Sequence, residues 1–130
     1  MKLDLVIFAG QQFWSVMRKI YPSCDFHVLP SFYEPIGNVV LEAMACGLPI
    51  IGSKIAGMSD IISHGETGHH IIPGDSDQLA RYMRVMLVDR TLRSKMSRAA
   101  RQAAEEKFDD MVVARSVERL YYECLGRGRS

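Results

Sequence analysis

The chain has 130 residues, of which 48% are hydrophobic and 24% charged, and its formal net charge is +1. That is the length of one domain, able to bury roughly two-thirds of its unfolded surface around a single core, and the composition excludes wholesale disorder, a collagen-like repeat and a disulfide-dense scaffold. The longest apolar run, over residues 5–9, is far too short to cross a bilayer, and Met1-Lys2-Leu3-Asp4 does not begin a signal peptide, so a cytoplasmic location is expected.

Short apolar runs alternate with helical patterns over the first 75 residues, as they do in strand-helix units built around a parallel sheet. Leu5-Val6-Ile7-Phe8-Ala9 is continuous rather than alternating, which predicts a strand buried on both faces, ended by Gly10. Phe13, Val16, Met17 and Ile20 recur at helical spacing and predict a helix closed by Pro22. A second strand is predicted at Phe26-His27-Val28-Leu29, stopped by Pro30. The small, mostly apolar stretch from Gly37 to Cys46 predicts a buried helix broken by Gly47-Leu48-Pro49. Ile50-Ile51-Gly52 predicts a third strand, residues 58–63 a short helix, Gly65-Glu66-Thr67-Gly68 a turn and His70-Ile71-Ile72 a last short strand.

From Asp75 onward the pattern is helical only. Leu79, Met83, Met86 and Leu87 form one 3.6-residue set, Leu92, Met96, Ala99 and Ala103 a second, and Val113, Val117, Leu120 and Cys124 a third. Asp75 or Asp77 and Asp109 or Asp110 are natural N-caps for the first and last of these helices, and Met58, Met83, Met86 and Met96 read as core filler. Charge divides unevenly: residues 1–80 carry four basic against eight acidic side chains, and residues 81–130 twelve against seven. The basic excess is interleaved with the apolar period and lacks an aromatic platform, so it reads as solvated helix faces. No nucleic-acid partner is expected, and an anionic membrane surface is the weaker alternative.

The chemistry concentrates in the loop Pro30-Ser31-Phe32-Tyr33-Glu34-Pro35-Ile36-Gly37. It follows the second strand on the side of a parallel sheet where ligands sit, and it feeds a helix whose free N–H groups and dipole favour an anion. Glu42, little more than a turn inside that helix, leans back toward the same mouth, where a carboxylate suits a vicinal diol. Taken singly, Glu42 reads first as a buried acid satisfying neighbouring backbone donors, and Glu34 as an exposed loop acid.

The full string from Ser31 to Ile51 changes that balance. Glu34 and Glu42 stand eight apart, with Pro35, Gly37, Leu41-Glu42-Ala43-Met44 and Gly47-Leu48-Pro49 between and after them, and the string resembles the E-x7-E signature of retaining GT-B glycosyltransferases. Val6-Ile7-Phe8-Ala9-Gly10, Val28-Leu29-Pro30-Ser31, Gly57-Met58-Ser59-Asp60, Gly65-Glu66-Thr67-Gly68 and Pro73-Gly74-Asp75 are similar to further parts of that family's C-terminal, donor-binding domain, so the resemblance covers nearly the whole chain. It implies an α/β fold, a partial Rossmann-like parallel sheet followed by C-terminal helices, and a single nucleotide-sugar-binding domain over residues 1–130. It also implies Glu34 as the catalytic-site acid beside the transferred sugar and Glu42 on the ribose hydroxyls. The amides around Gly37, Asn38 and Val39 would face the diphosphate, Gly57 would lie in a loop lining the cleft, and no metal or other cofactor would be needed. Asp60 stands where the family usually has Glu.

The resemblance begins at what looks like the third strand of the donor domain, which predicts a domain truncated at its N-terminal side. The family's acceptor domain and its Arg and Lys pair have no match here, and Lys54 is the only Lys or Arg between positions 20 and 80. The isolated chain is therefore not expected to turn over, since a charge clamp supplies transition-state stabilisation. The alternative reading is a non-catalytic or split-chain nucleotide-binding or interaction module. An unpaired edge at residues 5–8 predicts self-association or pairing with a polypeptide that supplies the missing acceptor domain. Asp75-Ser76-Asp77 reads as helix capping rather than as a metal motif, and His64, His69 and His70 as surface or turn histidines. Cys24, Cys46 and Cys124 read as reduced thiols in apolar surroundings.

Overall fold

The structure, a computed structural model, describes residues 6–35 and 37–127, with side chains described through Leu125. Three strands, β1 (His27–Leu29), β2 (Ile50–Ser53) and β3 (Gly68–Ile71), form a parallel sheet in the order β1-β2-β3. His27 pairs with Ile50 and Leu29 with Gly52, while Ile50 pairs with Gly68 and Ser53 with Ile71. Helix α1 (Trp14–Ile20) and a 3-10 turn (Tyr21–Ser23) precede the sheet. Helices α2 (Asn38–Ala45) and α3 (Met58–Ile61) are the two crossovers, and α4 (Ser76–Val88), α5 (Arg90–Lys107) and α6 (Asp110–Arg127) follow. This is the expected α/β architecture with helices after a parallel sheet.

The period-2 alternation of the central strand divides the core. Ile50 points into one cluster with Tyr21, Val40, Ala43, Met44, Met58, Ile62, Ala100 and Ala104. Ile51 points to the other face, where it meets Ile71, Met86 and Met96. Every residue of β2 is buried, as a strand covered by helices on both faces requires. Burying a large apolar side chain such as Met44 or Ile50 contributes about 1.5 to 3 kcal/mol. Helix α5 serves both clusters, Met96 on one and Ala100 and Ala104 on the other. The two small alanines let α5 lie close to α2, and polar groups lock that contact. Ser97 Oγ donates to Gly47 O at 2.6 Å, and the Arg101 guanidinium donates to Ala45 O. A cation and a hydroxyl thus satisfy carbonyls at the C-terminal end of α2.

Caps match the sequence at Asp75, whose Oδ1 accepts from the Gln78 N–H at 2.8 Å, and at Asp109, whose Oδ1 accepts from the Met111 N–H at 2.9 Å. Asp89 caps α5 in the same way, a cap that the apolar periods do not mark. Met58, Met86 and Met96 are buried core residues, as expected.

Several expectations fail. Residues 6–10 form no strand, and Val6, Ile7 and Phe8 are 49%, 90% and 87% exposed; Leu5 lies outside the described residues. An apolar run signals burial, but a strand also needs a neighbouring strand to pair with, and among the described residues none pairs with residues 6–10. Helix α1 is similarly open, with Phe13 and Trp14 exposed, and it ends directly before the 3-10 turn that contains Pro22. The period at Val113, Val117, Leu120 and Cys124 does form a helix, yet all four positions are exposed. Cys24 and Cys46 are exposed as well, so the apolar setting expected for the thiols is absent.

His64 is exposed as expected, but His69 departs from expectation. His69 is only 8% exposed, and its ring stacks on Tyr82 of α4 with centroids 4.1 Å apart. It sits beside Ile51 in the ladder and so faces the α4 side of the sheet. Burial, and next the nearby His64, push its pKa down from 6.5 to about 4. His27 and His70 are lowered in the same direction, chiefly by burial. A histidine whose folded pKa is depressed contributes stability that is complete above pH 6.5 and is lost as pH falls toward 4. His69→Phe keeps an aromatic ring on Tyr82 and removes the proton. Denaturant titrations between pH 6.5 and 4 should therefore show a shallower fall in stability for the variant, by up to about 1.4 kcal/mol per pH unit for one proton. Parallel curves would show that His69 is not buried neutral.

Candidate functional site

In a parallel sheet every strand ends on the same side, so the loops after β1 and β2 emerge side by side. Their contact is made by backbone. Gly57 has φ +83°, and a Cβ built on it would lie 2.6 Å from the Pro35 carbonyl oxygen and 2.9 Å from that of Glu34. No side chain fits there, so a glycine is what allows the β2 loop to press against the β1 loop.

The β1 loop enters α2 through Gly37, which is buried and left-handed at φ +67°, with Ile61 Cδ1 3.3 Å from where a Cβ would stand. The Glu34 carboxylate turns back on this corner, and its Oε1 accepts from the Gly37 N–H at 3.0 Å. Gly37 O in turn accepts from the N–H groups of Val40 and Leu41. The N–H groups of Asn38 and Val39 are left without a hydrogen-bond partner among the described residues, and both residues are exposed. Two free donors at the positive end of a helix, entered through a corner without a Cβ, form a mouth able to receive an anion.

Glu42 is half-buried on α2. Its Oε2 accepts from the hydroxyl of Tyr21 at 3.3 Å. Tyr21 is 5% exposed and packs edge-on to His27, with centroids 5.9 Å apart. Burial first, and then the Glu42 charge, raise its pKa to about 12, so it keeps its proton as a donor at any ordinary pH. Residue order alone does not single out Tyr21. Its one signal is a tyrosine beside Pro22 at the end of an apolar helix, and nothing in that pattern points across to Glu42.

The predicted residues thus lie on two adjoining loops and the first turns of α2. Asp60 is exposed in the first turn of α3, and Lys54 is exposed directly after β2. Asp75 is occupied as a cap rather than free for a metal. Among the described residues no group of three or more His, Cys, Asp or Glu side chains could hold a metal ion, and no helix is long and apolar enough to cross a membrane. A cavity of about 340 Å³ lined by Cys24, Cys46, Arg93 and Ser97 lies at the opposite end of α2 and includes neither glutamate.

A model of the family described as glycosyl transferases group 1 matches residues 2–103. The chain belongs to that family. It is 34% identical over 122 residues to N-acetyl-alpha-D-glucosaminyl L-malate synthase of Bacillus anthracis, covering 94% of this chain and 32% of that protein. It is 36% identical over 114 residues to glycogen synthase of Mycobacterium tuberculosis, covering 88% and 28%. Among solved structures, sucrose-phosphate synthase from Thermosynechococcus elongatus superposes with a TM-score of 0.84 at 31% identity, over 95% of this chain and 31% of that one. Anabaena HepE in complex with UDP superposes with a TM-score of 0.76 at 26% identity, over 81% and 29%. The same protein has been solved with UDP-glucose. A further match is a solved C-terminal domain of a group 1 family protein from Francisella tularensis, with a TM-score of 0.73 at 25% identity, over 79% and 53%. The chain spans about a third of the length of the first relatives, and it has the fold of the C-terminal domain of group 1 glycosyltransferases.

The Gly57 contact predicts a difference between two glycines of similar φ. Gly65, at φ +82°, has nothing within 4 Å of where a Cβ would stand. Gly65→Ala should cost about 1 to 2 kcal/mol, the left-handed backbone penalty, while Gly57→Ala should cost more, both because its φ +83°, ψ −60° backbone is more strained for a side-chain-bearing residue and because the Pro35 carbonyl must be displaced. Equal melting temperatures for the two variants would show that the loops do not touch as described.

Proposed function

We propose that this domain binds a nucleoside diphosphate sugar and forms the donor half of a retaining glycosyltransferase, a sugar-transferring enzyme that needs no metal. The observation that carries this reading is the pair of amides, Asn38 and Val39, at the N-terminus of α2, which have no hydrogen-bond partner among the described residues. A diphosphate is the ligand group whose charge and acceptor oxygens match that mouth, and UDP is present in the HepE complex. Glu42 is proposed to accept hydrogen bonds from the ribose hydroxyls. Glu34, held on the Gly37 N–H, is proposed to stand beside the transferred sugar, within the E-x7-E pattern it forms with Glu42. Gly37 lets the phosphates approach the backbone, and Gly57 keeps the second loop against the first.

Transfer itself is proposed to need groups that this sequence does not supply. Lys54 is the only Lys or Arg between positions 20 and 80, and one exposed lysine is a weak counterpart to a charge clamp on a departing diphosphate. The second reading, a split-chain or interaction module, is favoured by the open apolar surface at Val6, Ile7, Phe8 and Trp14. An acceptor domain covering that surface would reconcile the two readings.

Calorimetry with UDP, GDP and ADP tests the nucleotide reading. One of the three should bind, and Glu42→Ala should weaken it by about 1 to 3 kcal/mol, the usual effect of removing hydrogen bonds to a charged group. Glu34→Gln keeps an acceptor for the Gly37 N–H. It should leave the nucleoside diphosphate affinity within about twofold while changing the affinity for the corresponding nucleotide-sugar. Equal binding by the Glu42→Ala variant and the unaltered chain would remove Glu42 from the site.

A further inference from the structure

We infer that Tyr21 is a positioning residue for the nucleotide: its buried hydroxyl holds one oxygen of Glu42 so that the carboxylate meets the ribose hydroxyls already oriented. The inference rests on the nucleotide reading above and adds to it a residue from a different element.

The Tyr21 hydroxyl donates to Glu42 Oε2 at 3.3 Å, the one hydrogen bond that either side-chain oxygen of Glu42 makes among the described residues. Oε1 is left to accept from a ligand. A glutamate side chain is costly to order, because binding must freeze several torsions that are otherwise free. A partner anchored in the core removes part of that cost before the ligand arrives. Tyr21 is so anchored: it belongs to the same buried cluster as Val40, Ala43 and Met44, on the face of α2 turned to the sheet, and its ring rests against His27.

The choice of donor suits the task. A lysine or arginine in that place would compensate the carboxylate charge and compete with the ligand for both oxygens. A phenol supplies one neutral O–H, and a carboxylate offers about four acceptor sites, so both hydroxyls of a diol still find room. Burial and the Glu42 charge keep the phenol protonated, so its donor role does not lapse at physiological pH.

A buried tyrosine hydroxyl needs an acceptor in any protein, so the test must separate positioning from mere satisfaction. The probes are UDP and 2′,3′-dideoxyuridine diphosphate, which lacks the two hydroxyls that Glu42 would hold; where GDP or ADP is the nucleotide that binds, it and its 2′,3′-dideoxy analogue take their place. Tyr21→Phe should raise the Kd for UDP about fivefold, a modest loss in keeping with one long hydrogen bond of 3.3 Å, and leave the Kd for the dideoxy compound within about twofold. Equal weakening of both ligands would show a structural role alone and overturn the inference. Unchanged UDP binding by Tyr21→Phe, in a protein that Glu42→Ala does weaken, would remove Tyr21 and leave the nucleotide reading standing. If Glu42→Ala has no effect either, the parent reading falls and this one with it. A second measurement needs no substitution. In the unaltered chain the Tyr21 ring 13Cζ resonance should move when UDP binds and stay in place with the dideoxy compound, and identical responses to the two would contradict the inference.

Discussion

Because β1, β2 and β3 run parallel, their C-terminal ends emerge together, and β2, hydrogen-bonded on both sides and buried throughout, allows no other arrangement. Ile50 and Ile51 commit opposite faces of this strand to two separate clusters, so helices must cover both sides. The crossovers α2 and α3 then leave from adjacent loops. From that constraint comes the contact between two loop backbones, Gly57 against the carbonyls of Glu34 and Pro35. The corner at Gly37, the free amides of Asn38 and Val39 and the placement of Glu34 follow from how those loops are held.

The two ends of α2 are treated differently. At its C-terminal end, Ser97 and Arg101 of α5 occupy carbonyls of Gly47 and Ala45. At its N-terminal end the protein satisfies Gly37 through Glu34, and the next two N–H groups have no partner among the described residues. A helix end with exposed N–H donors, beside a carboxylate held by the Tyr21 phenol, is the arrangement on which the proposed nucleotide site rests. The surface around the N-terminal segment is of another kind, since Ile7, Phe8, Phe13 and Trp14 present apolar area to solvent.

Much of this is legible from residue order. The strands at His27–Leu29 and Ile50–Ser53, the helix that begins after Gly37, the Asp75 cap and the grouping of Glu34, Gly37 and Glu42 around one loop all follow from local rules: turn residues, apolar period and capping chemistry. The expectations that fail depend on partners. Residues 6–9 have the composition of a buried strand but no neighbour in the described structure, and Val117 and Leu120 keep helical period while remaining exposed. The burial of His69 is not legible in the sequence because its cover, Tyr82, lies on another element, α4. The bond from Tyr21 to Glu42 crosses 21 positions and is hidden for the same reason.

The central claim is that the first two amides of α2 receive the diphosphate. Titrating UDP into 15N-labelled protein and following the amide resonances tests it most directly. The account predicts that the Asn38 and Val39 N–H resonances shift downfield and move the furthest, with Gly37 and Gly57 following. Saturable binding that leaves Asn38 and Val39 in place, while resonances near Cys46 and Ser97 at the opposite end of α2 move instead, would contradict it.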